Sequence, residues 1–291
     1  MSSYRPEVAA LLGKEFRCLD KGFVRLIDVM GDDAAIVQAA RVSYGEGTRS
    51  VSDDRKLIRY LMRHRHTSPF EMVEFKFHIK LPIFVARQWI RHRTANVNEY
   101  SGRYSIMRQE FYLPEPEQLR PQSALNKQGR AEEPLPPDLA EQLVTRLRQT
   151  QNRLYAEYQE LLQHNLAREL ARINLPLSLY TEWYWKIDLH NLFHFLQLRM
   201  DEHAQYEIRL YAHTIADIVK VVVPLAWEAF EDYVLGAVTF SRLEQRILAR
   251  LLRGSQLTDR LLEEAGLEGR EAREFRQKLA RILREHDEEA P

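Results

Sequence analysis

Polar and apolar residues alternate most cleanly in "EMVEFKFHIKLP". Val73, Phe75, Phe77 and Ile79 fall on one side, and Glu74, Lys76, His78 and Lys80 on the other. A period of two is that of a strand with one buried face, and an antiparallel sheet accommodates the wet face that remains. Upstream, "GFVRLIDVMGDDAAIVQAARVS" reads as a strand, a turn at Gly31-Asp32-Asp33 and a helix with Asp32 or Asp33 as its N-cap. "SVSDDRKLIRYLMRHRHTSPF" sets Leu57, Ile58, Leu61 and Met62 on one helical face and stops before Pro69. Pro82 suits the first turn of a helix running through Val85 and Trp89, which the chain leaves between Asn96 and Gly102. "SIMRQEFYLP" is expected to return as a strand. Six prolines between positions 114 and 137 predict a long loop.

Helical spacing resumes near Asp138, continues past Gln163 and is broken at Leu175-Pro176. The aromatic-rich "LSLYTEWYWKIDLHNLFHFLQLRM" follows, helical from about Asp188, and another long helix covers Glu202 to Val223, where Pro224 kinks or stops it. Beyond Gly236 the chain is dense in Arg, Glu and Leu and poor in aromatics. The pattern therefore divides the molecule into a core of residues 1–236 and a charged helical extension of residues 237–291, suited to self-association.

Composition narrows the possibilities. The 291 residues are 45% hydrophobic and 10% aromatic, enough for a substantial core, and 42 basic residues balance 42 acidic ones. That balance argues against a general nucleic-acid or membrane-surface binder and leaves room for a local site aimed at something small and anionic. With Cys18 as the single cysteine, neither an internal disulfide nor a cysteine-based zinc site is possible, which fits a reducing cytoplasm. The N-terminal "MSSYRPEVAALLGKEF" lacks a signal-peptide core, and no apolar run approaches a membrane span. A soluble, cytoplasmic protein is expected.

Charge is not evenly spread. From Val85 to Arg108 there are five arginines (Arg87, Arg91, Arg93, Arg103, Arg108) and one acid, Glu99. The glycines of "YGEGTRS" match neither GxGxxG nor GxxxxGK[ST], so phosphate would have to be held by side chains, for which the planar guanidinium is suited. Arg91 and Arg93 cannot share one side of a regular helix, so a break in geometry or two partners is implied. Asn96, Asn98, Ser101 and Tyr104 add neutral donors and acceptors, and Gly102 permits close approach. A solvated, salt-bridged helix end is the plainer reading, weakened by the scarcity of acids in the segment. His190 and His194 stand at i, i+4, but Asn191 occupies the place where a zincin carries Glu. Asp188, Asp201, Glu202 and His203 have no spacing that fixes a metal geometry, so no metal is expected. Cys18 has no basic neighbour in sequence and reads as a small buried hydrophobe. Tyr180, Trp183, Tyr184, Trp185, Phe193 and Phe195 read first as core and second as walls for a flat ring.

"RHRTANVNEYSGRYS" resembles the signature of the flavin-dependent thymidylate synthases: RHR, seven residues, Ser, one residue, then Arg-Tyr. Here these are Arg91-His92-Arg93, Ser101 and Arg103-Tyr104. "ARVSY", "HTSPFEMVEFKF", "PIFVARQWIRHR" and "LRMDEHAQYEIRLYA" resemble family segments in family order, so the likeness spans roughly Gly22 to Tyr233. It departs at Asn96, often Ser in the family, and at Asp188 and His194, often Asn. The resemblance implies an α+β fold, with mixed helices around a twisted, largely antiparallel sheet. It also implies an enzyme that methylates dUMP to dTMP with methylenetetrahydrofolate as carbon donor, FAD relaying hydride from NADPH, in a homotetramer with shared active sites. By the same resemblance Gln88, Trp89, Ile90 and Arg91 approach dUMP, with Glu99, Tyr100, Ser101, Gly102 and Arg103 in the following turn. Arg172 reaches the phosphate from a neighbouring subunit, and Arg199 is the catalytic residue facing the uracil. Ser68, Arg91, His92, Arg93, Glu99, Asp188, Leu189, His190 and His194 hold FAD, and His66 flanks the flavin or folate. Two other classes stay open on the residues alone: a single-strand nucleic-acid binder using the arginines and aromatics, and a helical scaffold assembled through its C-terminal extension.

Overall fold

Five strands make the frame, and their order explains why the Arg-rich segment lies at an edge. A short helix, α1 (Pro6–Ala9), leads to β1 (Glu15–Cys18), which forms a hairpin with β2 (Gly22–Met30). Next in the sheet come β3 (Glu74–Pro82), β5 (Tyr180–Asp188) and β4 (Asn96–Glu99), giving the order β1-β2-β3-β5-β4 with each neighbouring pair antiparallel. β2 slips register between Leu26 and Asp28, so one of its residues lies unpaired against β3. The computed structural model describes residues 4–42, 54–124, 129–252 and 257–284. Ser43 and Tyr44 of "ARVSY" and the glycines of "YGEGTRS" lie outside the described residues.

The alternation in β3 is realised: Phe75, Phe77 and Ile79 are fully buried while Lys76 faces solvent. The strand's far end departs from the pattern, because Lys80 is buried too. It is accommodated by an ion pair with Glu110 at 2.8 Å, and its carbonyl accepts from Tyr211. β2 runs into Gly31, whose φ of +82° turns the chain, and the carboxylate of Asp32 accepts from the Ala34 amide to start α2 (Asp33–Val42). α3 (Asp54–Arg63) buries Leu57, Ile58 and Leu61, as its spacing requires.

After β3 comes α4 (Ile83–Trp89), with Pro82 as its N-cap. The helix ends at Trp89, seven residues before the expected exit, and Asn96–Glu99 is a strand, β4. All four β4 residues are exposed, so no hydrophobic alternation could announce it. "SIMRQEFYLP" is not a strand beyond an isolated bridge of Phe111 to Leu179. The Met107 amide donates to the Tyr158 hydroxyl at 3.0 Å and its carbonyl accepts from Tyr155 at 2.9 Å, which uses the groups a ladder would need. Both tyrosines come from α5 (Pro137–Gln163), which begins where the proline-rich loop ends. A short helix, α6 (Arg168–Ala171), and a 3₁₀ turn, Arg172–Asn174, lead into β5, which takes up the aromatic run as a strand, and the helix that follows begins at Leu189, in line with the expected start near Asp188.

α7 (Leu189–Arg199) and α8 (Tyr206–Val222) cover the sheet's apolar face, and α9 (Pro224–Phe230) packs against α3 and α8. Phe195, Ile208, Tyr211 and Ile215 from these helices share one core with Phe75, Phe77, Trp183 and Trp185. Compact units are Met1–Leu235 and Gly236–Pro291. Within the second, a reciprocal pair between Ser241 and Glu244 starts α10 (Arg242–Leu252). The Thr258 hydroxyl caps α11 (Asp259–Glu264), and α12 (Gly269–Arg284) completes the unit around Ala249, Leu262 and Ala272. No helix among the described residues is long and apolar enough to cross a membrane.

Candidate active site

Trp89 roots the Arg-rich segment. Its indole is 1% exposed and packs on Phe195 (centroids 4.6 Å apart), Trp185 (5.1 Å), Trp183 (5.7 Å) and Tyr211 (5.9 Å). With the side chain spent on the core, any ligand contact by Trp89 falls to its backbone. Beyond it the His92 amide closes a turn onto the Trp89 carbonyl at 3.0 Å. Ile90, Arg91 and Arg93 emerge on the surface. Because the helix has ended, the two arginines are freed from helical geometry, the first of the two alternatives that their spacing left open. Neither guanidinium has an acid or hydrogen-bond partner among the described residues, an unusual condition for arginines in a charge-balanced chain.

His92 turns inward instead. Its Nε2 accepts from Nε of Arg199 at 3.0 Å, and its ring lies 6.0 Å from His194 and 5.0 Å from Phe195. Burial, then the charge of Arg199 and the neighbouring His194, push the imidazole down to about 4, so it is a neutral acceptor at physiological pH. Burial also lowers the guanidinium of Arg199 from its ordinary value, yet the group remains a cation. One of its nitrogens is committed to His92, and the other two have no partner among the described residues. The result is a half-buried, oriented positive charge.

β4 carries the segment along the edge of β5, pairing Asn96 with Lys186 and Glu99 with Trp183. The Glu99 carboxylate accepts from the buried Thr181 hydroxyl at 2.8 Å. The Tyr100 amide continues the ladder to Glu182 and its hydroxyl donates to Ile106, leaving residues 101–105 as a tight turn on the Ser101 carbonyl. Gly102 is buried there. A Cβ at this position would stand 2.7 Å from Sδ of Met107 and 3.0 to 3.1 Å from Cδ and Nη1 of Arg172. Arg172 thus lies against Gly102 within one chain, while Arg103 pairs with Glu169 at 3.0 Å.

Ser68, His66 and the Asp188–His190 junction form a third group. Leu189 is wholly buried, and its amide donates to the Val73 carbonyl at 2.8 Å, tying this junction to the 66–72 segment. Asp188 caps α7, accepting from the Asn191 amide at 2.9 Å and its side chain at 2.7 Å, which leaves His190 and His194 along the outer part of that helix. His66 is exposed and packs edge-on to Tyr60 at 5.7 Å. The turn at Ser101 and the junction at Asp188 sit at opposite ends of β5, a separation of about 23 Å at 3.3 Å per residue. Cys18 is far removed in character: it is buried on β1 beside Thr214, and burial pushes the thiol up to about 11.

Sequence reading missed one group that touches this site. Gln88 donates to Gln205, which donates in turn to Glu207, a carboxylate that is 1% exposed. The available signal was a charged residue on the core face of α8, in phase with Tyr211 and Ile215.

Two guanidiniums without partners among the described residues, on the approach to an edge strand and beside a neutral histidine and an oriented arginine, define an α+β domain suited to anionic ligands, held by side chains and not by a glycine-rich loop. A family model described as "Thymidylate synthase complementing protein" matches residues 25–225. The flavin-dependent thymidylate synthase of Treponema denticola is 57% identical over 268 residues, covering 92% of this chain and 98% of its own. That of Rickettsia bellii is 51% identical over 291 residues, covering 96% and 97%. Among solved structures, a UMP/dUMP methylase, PolB from Streptomyces cacaoi, bound with 5-Br dUMP, superposes with a TM-score of 0.68. It is 34% identical, over 76% of this chain and 99% of that one. The chain belongs to the flavin-dependent thymidylate synthase family, and it is an enzyme.

Proposed function

We propose that this enzyme converts dUMP to dTMP, taking the one-carbon unit from methylenetetrahydrofolate and reducing equivalents from NADPH, with FAD as its cofactor. The observation that carries the reading is the arginine at position 199, held by a neutral imidazole with two guanidinium nitrogens left over. A half-buried cation of that kind matches a ligand that gains negative charge during reaction, as the uracil ring does when its N3 ionises. The guanidinium stays protonated, so its role is electrostatic and not that of a base.

The donor set fits the flavin. Partner-free Arg91 and Arg93 suit a pyrophosphate, with His92, Glu99, Ser68, Asp188, Leu189, His190 and His194 as the further contacts and His66 beside the flavin or folate. When bound, the flavin supplies the transfer of hydride between nicotinamide and the carbon unit. Gln88, Ile90, Arg91 and the backbone of Trp89 bind the nucleotide, joined by Glu99, Tyr100, Ser101, Gly102 and Arg103, with Arg172 at its phosphate. Cys18, a buried thiol at neutral pH, is not a nucleophile for the uracil ring. Ring activation therefore rests on polarisation by Arg199.

The roughly 23 Å between the Ser101 turn and the Asp188 junction is too far for one compact ligand to touch both in one chain. This supports active sites shared between subunits, which we assign to a homotetramer, and a cytoplasmic location is in keeping with such an enzyme. Purified protein is expected to be yellow, with flavin absorbance, and to release tritium from [5-³H]dUMP. Arg199→Ala should keep the flavin and lose turnover. Colourless protein that takes up no FAD would refute the reading, and undiminished turnover in Arg199→Ala would refute the role of Arg199.

A further inference from the structure

Glu207, in the first turn of α8, is a buried carboxylate outside the contacts assigned above. Its Oε1 accepts from the Tyr112 hydroxyl at 3.0 Å and from Nη2 of Arg130, and its Oε2 accepts from the Gln205 side-chain amide at 2.8 Å. Burial drives the carboxyl up, but the hydrogen bond and charge of Arg130, with the Gln205 bond, outweigh it and leave the group below its ordinary value. Arg130 belongs to the proline-rich 114–137 loop. It also donates to the Gln118 carbonyl at 3.4 Å and lies over the Tyr206 ring at 5.7 Å, so this part of the loop is anchored to the core.

An ionised carboxylate only accepts, and this constrains everything bonded to it. Gln205 must present its amide NH₂ to Glu207, so its carbonyl faces away, where it accepts from the Gln88 amide. Gln88 has then committed its NH₂ group to Gln205. Its own carbonyl oxygen has no donor among the described residues. Two amides that could each flip freely are thereby set by one buried charge.

We infer that Glu207 is a positioning residue for the nucleotide: relayed through Gln205, it orients the Gln88 amide so that its carbonyl oxygen meets an N–H or O–H donor of dUMP, with Arg130 completing the relay. This rests on the reading above in which Gln88 approaches dUMP. Glu207→Gln keeps the shape but introduces a donor, which lets Gln205 and then Gln88 turn over. A merely structural carboxylate predicts a different result, in which FAD affinity falls together with dUMP affinity.

The test is calorimetric titration of dUMP into the FAD-loaded full chain for the wild type, Glu207→Gln, Gln88→Leu and the double variant. Glu207→Gln is expected to weaken dUMP binding about tenfold with FAD affinity unchanged, alongside a lower melting temperature because Arg130 loses its ion pair. The double variant should bind dUMP no more weakly than Gln88→Leu alone, since the carboxylate acts through that side chain. Additive losses, or wild-type affinity in Glu207→Gln, would overturn the inference while leaving the enzyme's function intact. If Glu207→Gln does not fold, Gln205→Met preserves the Glu207–Arg130 pair and must show the same non-additivity with Gln88→Leu, or the inference fails. A wild-type holoenzyme that binds no dUMP would overturn the functional reading and this inference with it.

Discussion

A half-buried imidazole next to a guanidinium is kept neutral first by the cost of burying its charge and then by the cost of placing two positive charges together. His92 is in that position, and its accepting Nε2 requires the proton to sit on Nδ1. Its folded value of about 4 lies below the ordinary 6.5. Between the two, the unfolded chain takes up a proton that the folded chain refuses. The stability that His92 contributes is thus fully present above about pH 6.5 and is lost as pH falls toward about 4. A ring-labelled sample should show the His92 Cε1 resonance unmoved between pH 8 and pH 5.5. A titration step inside that range would mean that the imidazole is cationic near neutrality, so that Arg199 is not held by a neutral acceptor.

At the scale of elements, adjacent aspartates divide two capping tasks. Asp32 caps its own helix, while Asp33 reaches across to α9, accepting from the amides of Leu225 and Ala226 at 2.9 Å each. α9 has no capping side chain of its own, so Asp33→Ala should cost about 1–2 kcal/mol. Urea denaturation with an unchanged m-value checks this, and Asp33→Asn, which keeps an acceptor oxygen, should recover part of the loss. A variant as stable as the parent would show that those amides are satisfied otherwise. These aspartates were legible as a helix start because turn chemistry is local, and β3 was legible because one of its faces is uniformly apolar. β5 was not, since Trp183 and Trp185 point inward while Tyr184 points outward, and aromatic residues on both faces erase the alternation. The site divides similarly. Arg91, Arg93 and Ser101 stand in one contiguous motif, whereas the relay from Arg130 through Glu207 to Gln88 joins three distant stretches and leaves no spacing to read.

For the molecule as a whole, the question is what the C-terminal unit contributes. Each candidate site residue lies in Met1–Leu235. The last turns of that unit are fastened to α3: Arg59 pairs with Asp232 at 2.5 Å and with Glu228 at 2.8 Å, and Tyr233 accepts from Arg59 and Arg63. An end secured by these bonds should not fray when the chain beyond it is removed. The PolB structure from Streptomyces cacaoi is matched over 99% of its length by 76% of this chain, so a solved relative of this fold is shorter than this chain. The Rickettsia bellii relative, in contrast, aligns with 96% of this chain, which leaves too few residues unmatched to omit the C-terminal unit. Its amphipathic helices are therefore expected to serve some task other than building the catalytic fold. Deleting residues 236–291 should leave a yellow protein with the parent's FAD affinity and dUMP-dependent tritium release, as measured by flavin absorbance and single-substrate turnover. If the shortened chain loses its flavin or its turnover while circular dichroism shows it folded, the C-terminal unit takes part in the active site.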